Sequence, residues 1–309
     1  MLGRVLDQLY RTGLNQIFMS VVLEAVKIFR NETPTVHLDS SSFHVHGDYH
    51  KKEDECTEDI EPKTVRITYG YSRDKRPDLK QFLMDLICTN DADVPLWMRI
   101  GSGNESDQKQ FVPAIKEFKS QLNFDSLIVA DSALYQYENL QLLTDIKWLS
   151  RVPVRIKAAH KLVQEIDSLD FTPSQMKGYS YQELKKTYGG IQQRWLIVES
   201  QLRRESDLKT LDTKIQKERV ELNKKLRTLK SQKFACIPDA ETATRKLLKK
   251  FLYHELKQIN VQQVESKSES CFPYEVQAKV SLRESTIEAE KKRAGRFILA
   301  TNVLDRMEL

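Results

Sequence analysis

The four cysteines, Cys56, Cys88, Cys236 and Cys271, stand far apart, and no two of them form a CxxC pair. That spacing argues against a zinc ribbon and against a disulfide framework, and it fits a reducing cytoplasm. No apolar run approaches the roughly 20 residues that a membrane span needs, so no membrane partner is expected. The opening residues Met1-Leu-Gly-Arg-Val-Leu-Asp-Gln do not read as a signal peptide, because Arg4 and Asp7 interrupt any apolar stretch. No internal repeat is visible. The string Gly101-Ser-Gly-Asn-Glu-Ser-Asp107 lacks the Gly-Lys-Ser/Thr ending of a Walker loop. Nor is one sign of charge in large excess: a net charge of +5 permits attraction to phosphate without requiring it.

What the chain does have is enough length for a substantial core. Its 309 residues suit one large domain with an elaboration, or two smaller ones. Residues 1–33 read as helix, from Leu2, Val5, Leu6 and Leu9, then Ile17, Val21, Val22, Ala25, Ile28 and Phe29, with a break at Thr12-Gly13. Residues 35–46 read as a strand and the polar, acidic residues 47–63 as an exposed loop. Val65–Tyr71 and Leu79–Thr89 read as a hairpin around a charged turn, and Pro95–Ile100 as a further strand. From Asp107, expected as a helix cap, the period changes to helix–strand alternation, with strands at 126–130 and 147–152 and helices at 107–122, 135–143 and 158–166.

Beyond residue 166 a second region begins. Gly189-Gly190 marks a hairpin turn before the return strand at 193–199. Leu208, Leu211, Ile215, Leu222, Leu226 and Leu229 recur at heptad spacing through a charge-rich helix at 201–233, which reads as a solvated face, a DNA-contacting arm or a partner-binding arm. Two β-like runs follow at 255–265 and 274–282, and 296–301 reads as a core strand. The expected organisation is therefore a helical segment (1–33), a mixed α/β core (34–166), an α+β insertion (167–290), and a return to the core (291–309).

Two aspartates carry most of the chemistry. Asp39 ends the apolar run in Pro34-Thr-Val-His-Leu-Asp39-Ser-Ser-Ser, and Asp131 ends Ser126-Leu-Ile-Val-Ala-Asp131. Alone, each reads as a turn former or helix cap. As a pair at strand ends they suit Mg²⁺, which takes hard oxygen ligands and usually one or two carboxylates plus substrate phosphates. His37, His44, His46 and His50 form a local cluster, but His44 and His46 would face away from Asp39, and the reading preferred over zinc is exposed or phosphate-touching histidines. Arg73, Lys75, Arg76 and Lys80 put four cations near one turn beside Tyr69 and Tyr71. That combination suits either a solvated hairpin tip or a surface tracking a nucleic-acid backbone.

Taken together, His37-Leu-Asp39-Ser-Ser-Ser, Gly70-Tyr-Ser-Arg-Asp-Lys-Arg-Pro-Asp-Leu-Lys-Gln81, Gly103-Asn-Glu-Ser-Asp107, Ile128-Val-Ala-Asp131 and Phe297-Ile-Leu-Ala-Thr-Asn302 resemble DDE transposases of bacterial insertion sequences, in the group called the IS-four superfamily. The resemblance implies an RNase H-like mixed sheet with flanking helices and a large insertion after the fifth strand. It implies Asp39 and Asp131 as the first two acids of a catalytic triad that binds two Mg²⁺ ions, with Mn²⁺ as a substitute. It also implies double-stranded DNA as partner, both transposon ends and target, a homodimer on that DNA, and a bacterial cytoplasmic location. The family's third acid lies on a helix after the last core strand. The sequence reaches Leu309 just past that strand, with Glu308 too close to it to serve, so a central fragment with an incomplete site is expected. Rival expectations are a different RNase H-like nuclease completed by Glu105 or Asp107, and a DNA-binding or interaction protein without catalysis.

Overall fold

The computed structural model describes residues 2–29, 34–49, 65–72, 74–91, 93–122, 125–167, 170–263 and 274–305. The chain divides into two compact units. One comprises residues 1–153, 183–196 and 298–309, and the other residues 154–182 and 197–297.

In the first unit, α1 (Leu2–Thr12) and α2 (Leu14–Phe29) meet at Gly13. α2 buries Met19 and Val22, and its Asn15 side chain donates to Glu117 at 3.1 Å. No single helix among the described residues is long and apolar enough to cross a membrane; α1 and α2 pass by length and composition only as a pair bent by 78°.

The sheet follows from alternation. In β1 (Thr35–Val45), Val36, Leu38 and Ser40 turn inward while His37, Asp39 and Ser41 are exposed. β1 pairs antiparallel with β2 (Lys80–Thr89) from Val36 opposite Thr89 to Val45 opposite Lys80. β3 (Pro95–Ser102) adds antiparallel to β2. The chain then crosses through α3 (Asp107–Gln121) to β4 (Leu127–Ala130), parallel to β1, and through α4 (Tyr137–Gln141) to β5 (Trp148–Arg151), parallel to β4. The order β3-β2-β1-β4-β5, with antiparallel strands followed by parallel ones, is an RNase H-like arrangement. α3 is held by Phe111, Ile115 and Phe118, all fully buried. Each such side chain contributes about 1.5–3 kcal/mol.

Two expectations need correction here. Val65–Tyr71 forms no strand; it makes only an isolated bridge, Thr68 with Gln81. The reason is that β2 has two edges, and β1 and β3 occupy both. Only at Gln81, where β3 has ended, is an edge open to Thr68. The helix cap is Ser106 rather than Asp107, without a side-chain cap bond; Asp107 lies in the first turn, where a carboxylate complements the helix dipole. The acidic loop expected at 47–63 lies mostly outside the described residues, as do His50, Cys56, Arg73, Cys271 and Glu308.

The second unit contains α5 (Lys157–Glu165), β6 (Thr172–Pro173), and the outer ends of β7 (Tyr179–Tyr188) and β8 (Ile191–Ser200). The turn between β7 and β8 has positive φ at both Gly189 (63°) and Gly190 (74°), the geometry of a tight hairpin that glycine adopts without strain. α6 (Gln201–Ser231) buries Leu211, Ile215, Leu222, Leu226 and Leu229 along one stripe. α7 (Ile237–Leu248) and the separate hairpin β9 (His254–Gln263) with β10 (Tyr274–Leu282) close a core around Leu226, Leu229, Phe234, Ala240, Leu256 and Val276. Leu211, Ile215 and Tyr253 enclose Ile287 of α8 (Glu284–Arg293). β11 (Arg296–Thr301) then returns antiparallel to β5, and the full order is β3-β2-β1-β4-β5-β11-β8-β7-β6. The hairpin of β7 and β8 thus extends the main sheet, and its Glu183–Leu196 stretch belongs to the first unit. A lone hairpin would leave unpaired edges, whereas docking on β11 covers one of them.

Glu218 of α6 ties this second core to its neighbours. Its carboxylate accepts from the amides of Leu252 (3.0 Å) and Tyr253 (2.8 Å) and lies 2.9 Å from His254 Nδ1. Burial pushes the Glu218 carboxyl up, but the bonds from His254 and the two amides outweigh it, so it titrates below the ordinary glutamate range. A carboxyl depressed in the folded state stabilises above its unfolded pKa, and that contribution is lost as pH falls through the folded one. Thermal melts below about pH 4.3, the ordinary glutamate value, are expected to drop more steeply for the native protein than for Glu218→Gln; parallel acid limbs would contradict this.

Candidate functional site

Leu38 opposite Ala130 is the last pair of the parallel β1–β4 ladder, and the next residues are Asp39 and Asp131. Neighbouring strands run about 4.8 Å apart, so the register sets the two aspartates side by side. β1 continues to Val45 against β2, while the chain after β4 turns away. The pair therefore sits where the sheet splits, the usual place for a ligand in such a layer. Both aspartates are exposed. Neither is ion-paired to a lysine or arginine among the described residues.

Local hydrogen bonds hold both acids. Asp39 Oδ1 accepts from the Ser40 amide at 2.8 Å, and Asp131 Oδ1 accepts from the Ala133 amide at 2.7 Å. The buried Ser150 hydroxyl of β5 donates to the Asp131 carbonyl at 2.7 Å, and the Leu134 amide closes a turn onto the same oxygen at 3.2 Å. Asp131 thus opens a turn; α4 begins only at Tyr137. Tyr135, fully buried, anchors the far end of that turn. Its hydroxyl donates to Gln193 Oε1 at 2.5 Å, Trp195 Nε1 donates to the same oxygen at 2.9 Å, and its ring stacks on Tyr188 at 5.4 Å. Burial raises the Tyr135 phenol far above its usual range, so it stays a donor. Tyr135→Phe is expected to cost about 1 kcal/mol, one neutral hydrogen bond, with the ring packing kept; urea denaturation measures it, and an unchanged midpoint would discount the bond.

The other candidates fall elsewhere. His37 Nε2 lies 3.1 Å from Asn90 Oδ1, and His44 reaches Ser72 at 3.0 Å and Asp74 at 3.5 Å. No group of three or more histidine, cysteine, aspartate or glutamate side chains suited to a metal ion occurs among the described residues, and His50 of the histidine cluster lies outside them. Glu105, the rival third acid, is committed to Arg99 Nη1 (2.8 Å) and to the Ser102 amide (2.7 Å). Arg99 also grips the buried Asp85, which pairs with Ser40 on the face opposite Asp39. Asp107 lines a cavity of about 310 Å³ with Ser42, Tyr71, Gln81 and Ala133.

Of the four cations, Arg73 lies outside the described residues. Lys75 is exposed with a positive φ of 58°. Arg76 is held by both oxygens of Asp78, at 2.9 and 2.8 Å. The hydrogen bond from that guanidinium draws the exposed Asp78 carboxyl down to about 2 and raises Arg76 itself. Lys80 lies over the Tyr69 ring at 5.9 Å, and Tyr71 is 84% exposed. The sequence offered no sign of the supports at Ser150, Tyr135 and Gln193, since the contacts that make them supports join elements distant in the chain.

With this geometry in place, comparison with known proteins gives three findings. A family model described as a transposase DDE domain matches residues 30–283. Among solved structures, the chain is similar to the piggyBac transposase in a cryo-EM synaptic complex with hairpin DNA, at 11% identity and a TM-score of 0.32, over 58% of this chain and 35% of that one. So loose a likeness carries no argument, and the chain spans only about a third of that protein. No curated protein matches in sequence.

Proposed function

The chain belongs to the transposase DDE-domain family, and from that premise we propose that it acts in DNA cleavage and strand transfer at transposon ends, with Asp39 and Asp131 as the carboxylates for divalent metal. Membership supports transposase-type DNA chemistry, and divalent ions with it, in general terms. The finer proposal is a member of the IS-four superfamily of insertion sequences in a bacterial cytoplasm. It works with two Mg²⁺ ions on double-stranded transposon-end and target DNA, as a homodimer. The observation that carries it is the register that puts Asp39 beside Asp131.

The donor set suits the ion: two hard carboxylates, exposed, with no competing cation among the described residues. When bound, paired metal ions activate the attacking oxygen and stabilise the leaving one. The chain's own part is positioning. The Ser40 and Ala133 amides and the Ser150 hydroxyl fix the two acids before any ion arrives. Lys75, Arg76 and Lys80, with Arg73 beside them in sequence, are proposed to hold the DNA backbone, and Tyr69 and Tyr71 to offer ring faces to bases. Because no third acid joins the pair among the described residues, the described site is proposed to bind metal weakly and to need one more carboxylate for cleavage.

The test is Mn²⁺-dependent nicking and strand transfer on duplex DNA, with Asp39→Asn and Asp131→Asn in parallel. Salt-sensitive DNA binding without nicking is expected. Nicking that both variants lose would keep the pair and discard the incompleteness. Nicking that both retain would discard the pair.

A further inference from the structure

We propose that the second unit carries a phosphate-binding pocket at His254, built to hold one phosphate of a DNA backbone. A cavity of about 540 Å³ is lined by Arg219 and Lys230 of α6, Lys279 and Ser281 of β10, and His254 at the start of β9. His254 is 1% exposed, and its Nε2 is buried with no hydrogen-bond partner. The ring orientation is set from behind. Nδ1 lies 2.9 Å from Glu218 Oε1, and Glu218 is itself pinned by the Leu252 and Tyr253 amides. An ionised carboxylate only accepts, so Nδ1 carries a proton and Nε2 is the atom left for a ligand.

The surroundings choose the ligand. Arg219, Lys230 and Lys279 are exposed, and none is paired with a carboxylate among the described residues. By contrast Lys225, Arg203 and Lys233 are each matched, with Glu221, Asp207 and Glu275. Three unmatched cations around one buried imidazole repel a metal ion and attract an anion. A phosphodiester offers only acceptors, so in the bound form His254 carries a second proton and donates from Nε2, as an imidazolium between Glu218 and the phosphate. Arg219, Lys230 and Lys279 supply the further charge, and the Ser281 hydroxyl a neutral donor. These residues come from a helix and two strands, form no recognisable motif in the sequence, and are assembled only by the fold.

This inference rests on the DNA reading above, and its test separates the two. The full chain, in EDTA so that no metal ion can bridge the aspartate pair to DNA, is titrated against fluorescein-labelled duplex DNA at several salt concentrations. Lys279→Ser and Arg219→Gln, both surface changes, are each expected to weaken binding about 3- to 10-fold and to lower the salt slope by about one. His254→Gln should weaken it similarly, and Lys209→Ser, elsewhere on α6, should change it less. Unaltered affinity and slope in Lys279→Ser and Arg219→Gln, with native binding intact, would overturn the pocket and leave the DNA reading standing. If the native chain binds no DNA, the DNA reading fails, and the backbone assignment of the pocket fails with it. A shift of the His254 ring-nitrogen resonances with inorganic phosphate, absent with chloride at equal ionic strength, would then reassign the pocket to free phosphate.

Discussion

Gly103→Ala leaves a chain that does not fold stably. A Cβ at residue 103 would stand 2.0 Å from the Gln81 carbonyl oxygen and 2.6 Å from the Thr68 carbonyl oxygen. Both are backbone atoms of the bridge where the 65–71 segment crosses the end of β3, so neither can swing aside. Gly70 meets Gly103 from the other side; a Cβ there would stand 1.8 Å from the Gly103 carbonyl oxygen. Gln81, buried beneath, donates its amide to Gly103 O at 2.7 Å and Tyr71 O at 3.3 Å, which stitches the crossing to β2. Moving any of these strands opens the others, and interiors packed as densely as crystals do not yield by an ångström. The expected loss exceeds about 4 kcal/mol, beyond the usual range for single substitutions. Gly101→Ala is the control. Its new Cβ would meet only the ends of the Glu105 and Arg99 side chains, at 2.9 and 3.1 Å, and the expected cost is about 1 kcal/mol. Urea denaturation that ranked the two variants equally would refute this account of the crossing.

That crossing also marks where the sequence stops being legible. Gly70 and Gly103 sit in two of the strings that carry the family resemblance. Neither has a positive φ. They are required because backbone from a distant segment comes too close for a side chain, and no local pattern encodes that. Val65–Tyr71 has the composition of a strand, but composition cannot reveal that β1 and β3 already fill both edges of β2. Where the determinant is local, reading succeeds. The stripe of Leu211, Ile215, Leu222, Leu226 and Leu229 lies on one buried face of α6, and Gly189-Gly190 makes its tight turn. The RNase H-like order was legible only through resemblance, since alternation identifies strands but not their neighbours. Asp39 and Asp131 stood out as acids ending apolar runs, yet their adjacency depends on a parallel register that only the fold displays. Glu218 and His254, 36 residues apart, share no motif at all.

Asp39→Asn and Asp131→Asn should each weaken Mn²⁺ binding at least about 100-fold, because disturbing even a residue behind a ligand commonly costs 10- to 100-fold. The amide is nearly the same shape as the carboxylate and can still accept the Ser40 or Ala133 N–H, so the fold is expected to persist with an unchanged melting temperature. What is removed is one negative charge, and at 4 Å a unit-charge pair near a protein surface is worth about 4 kcal/mol. A divalent ion feels that loss twice over, whereas a neutral amide oxygen returns only part of it. The same substitution acts in the opposite sense on bare DNA: two uncompensated carboxylates at the sheet split repel a phosphate backbone, and deleting one relieves part of that repulsion. Each variant should therefore bind duplex DNA in EDTA at least as tightly as the native chain, while losing the gain that Mn²⁺ gives the native chain. Calorimetry for the ion and anisotropy for the DNA read the two effects separately. Undiminished Mn²⁺ affinity in either variant would mean that the ion sits elsewhere, and the side-by-side register of Asp39 and Asp131 would then be a feature of the turn alone.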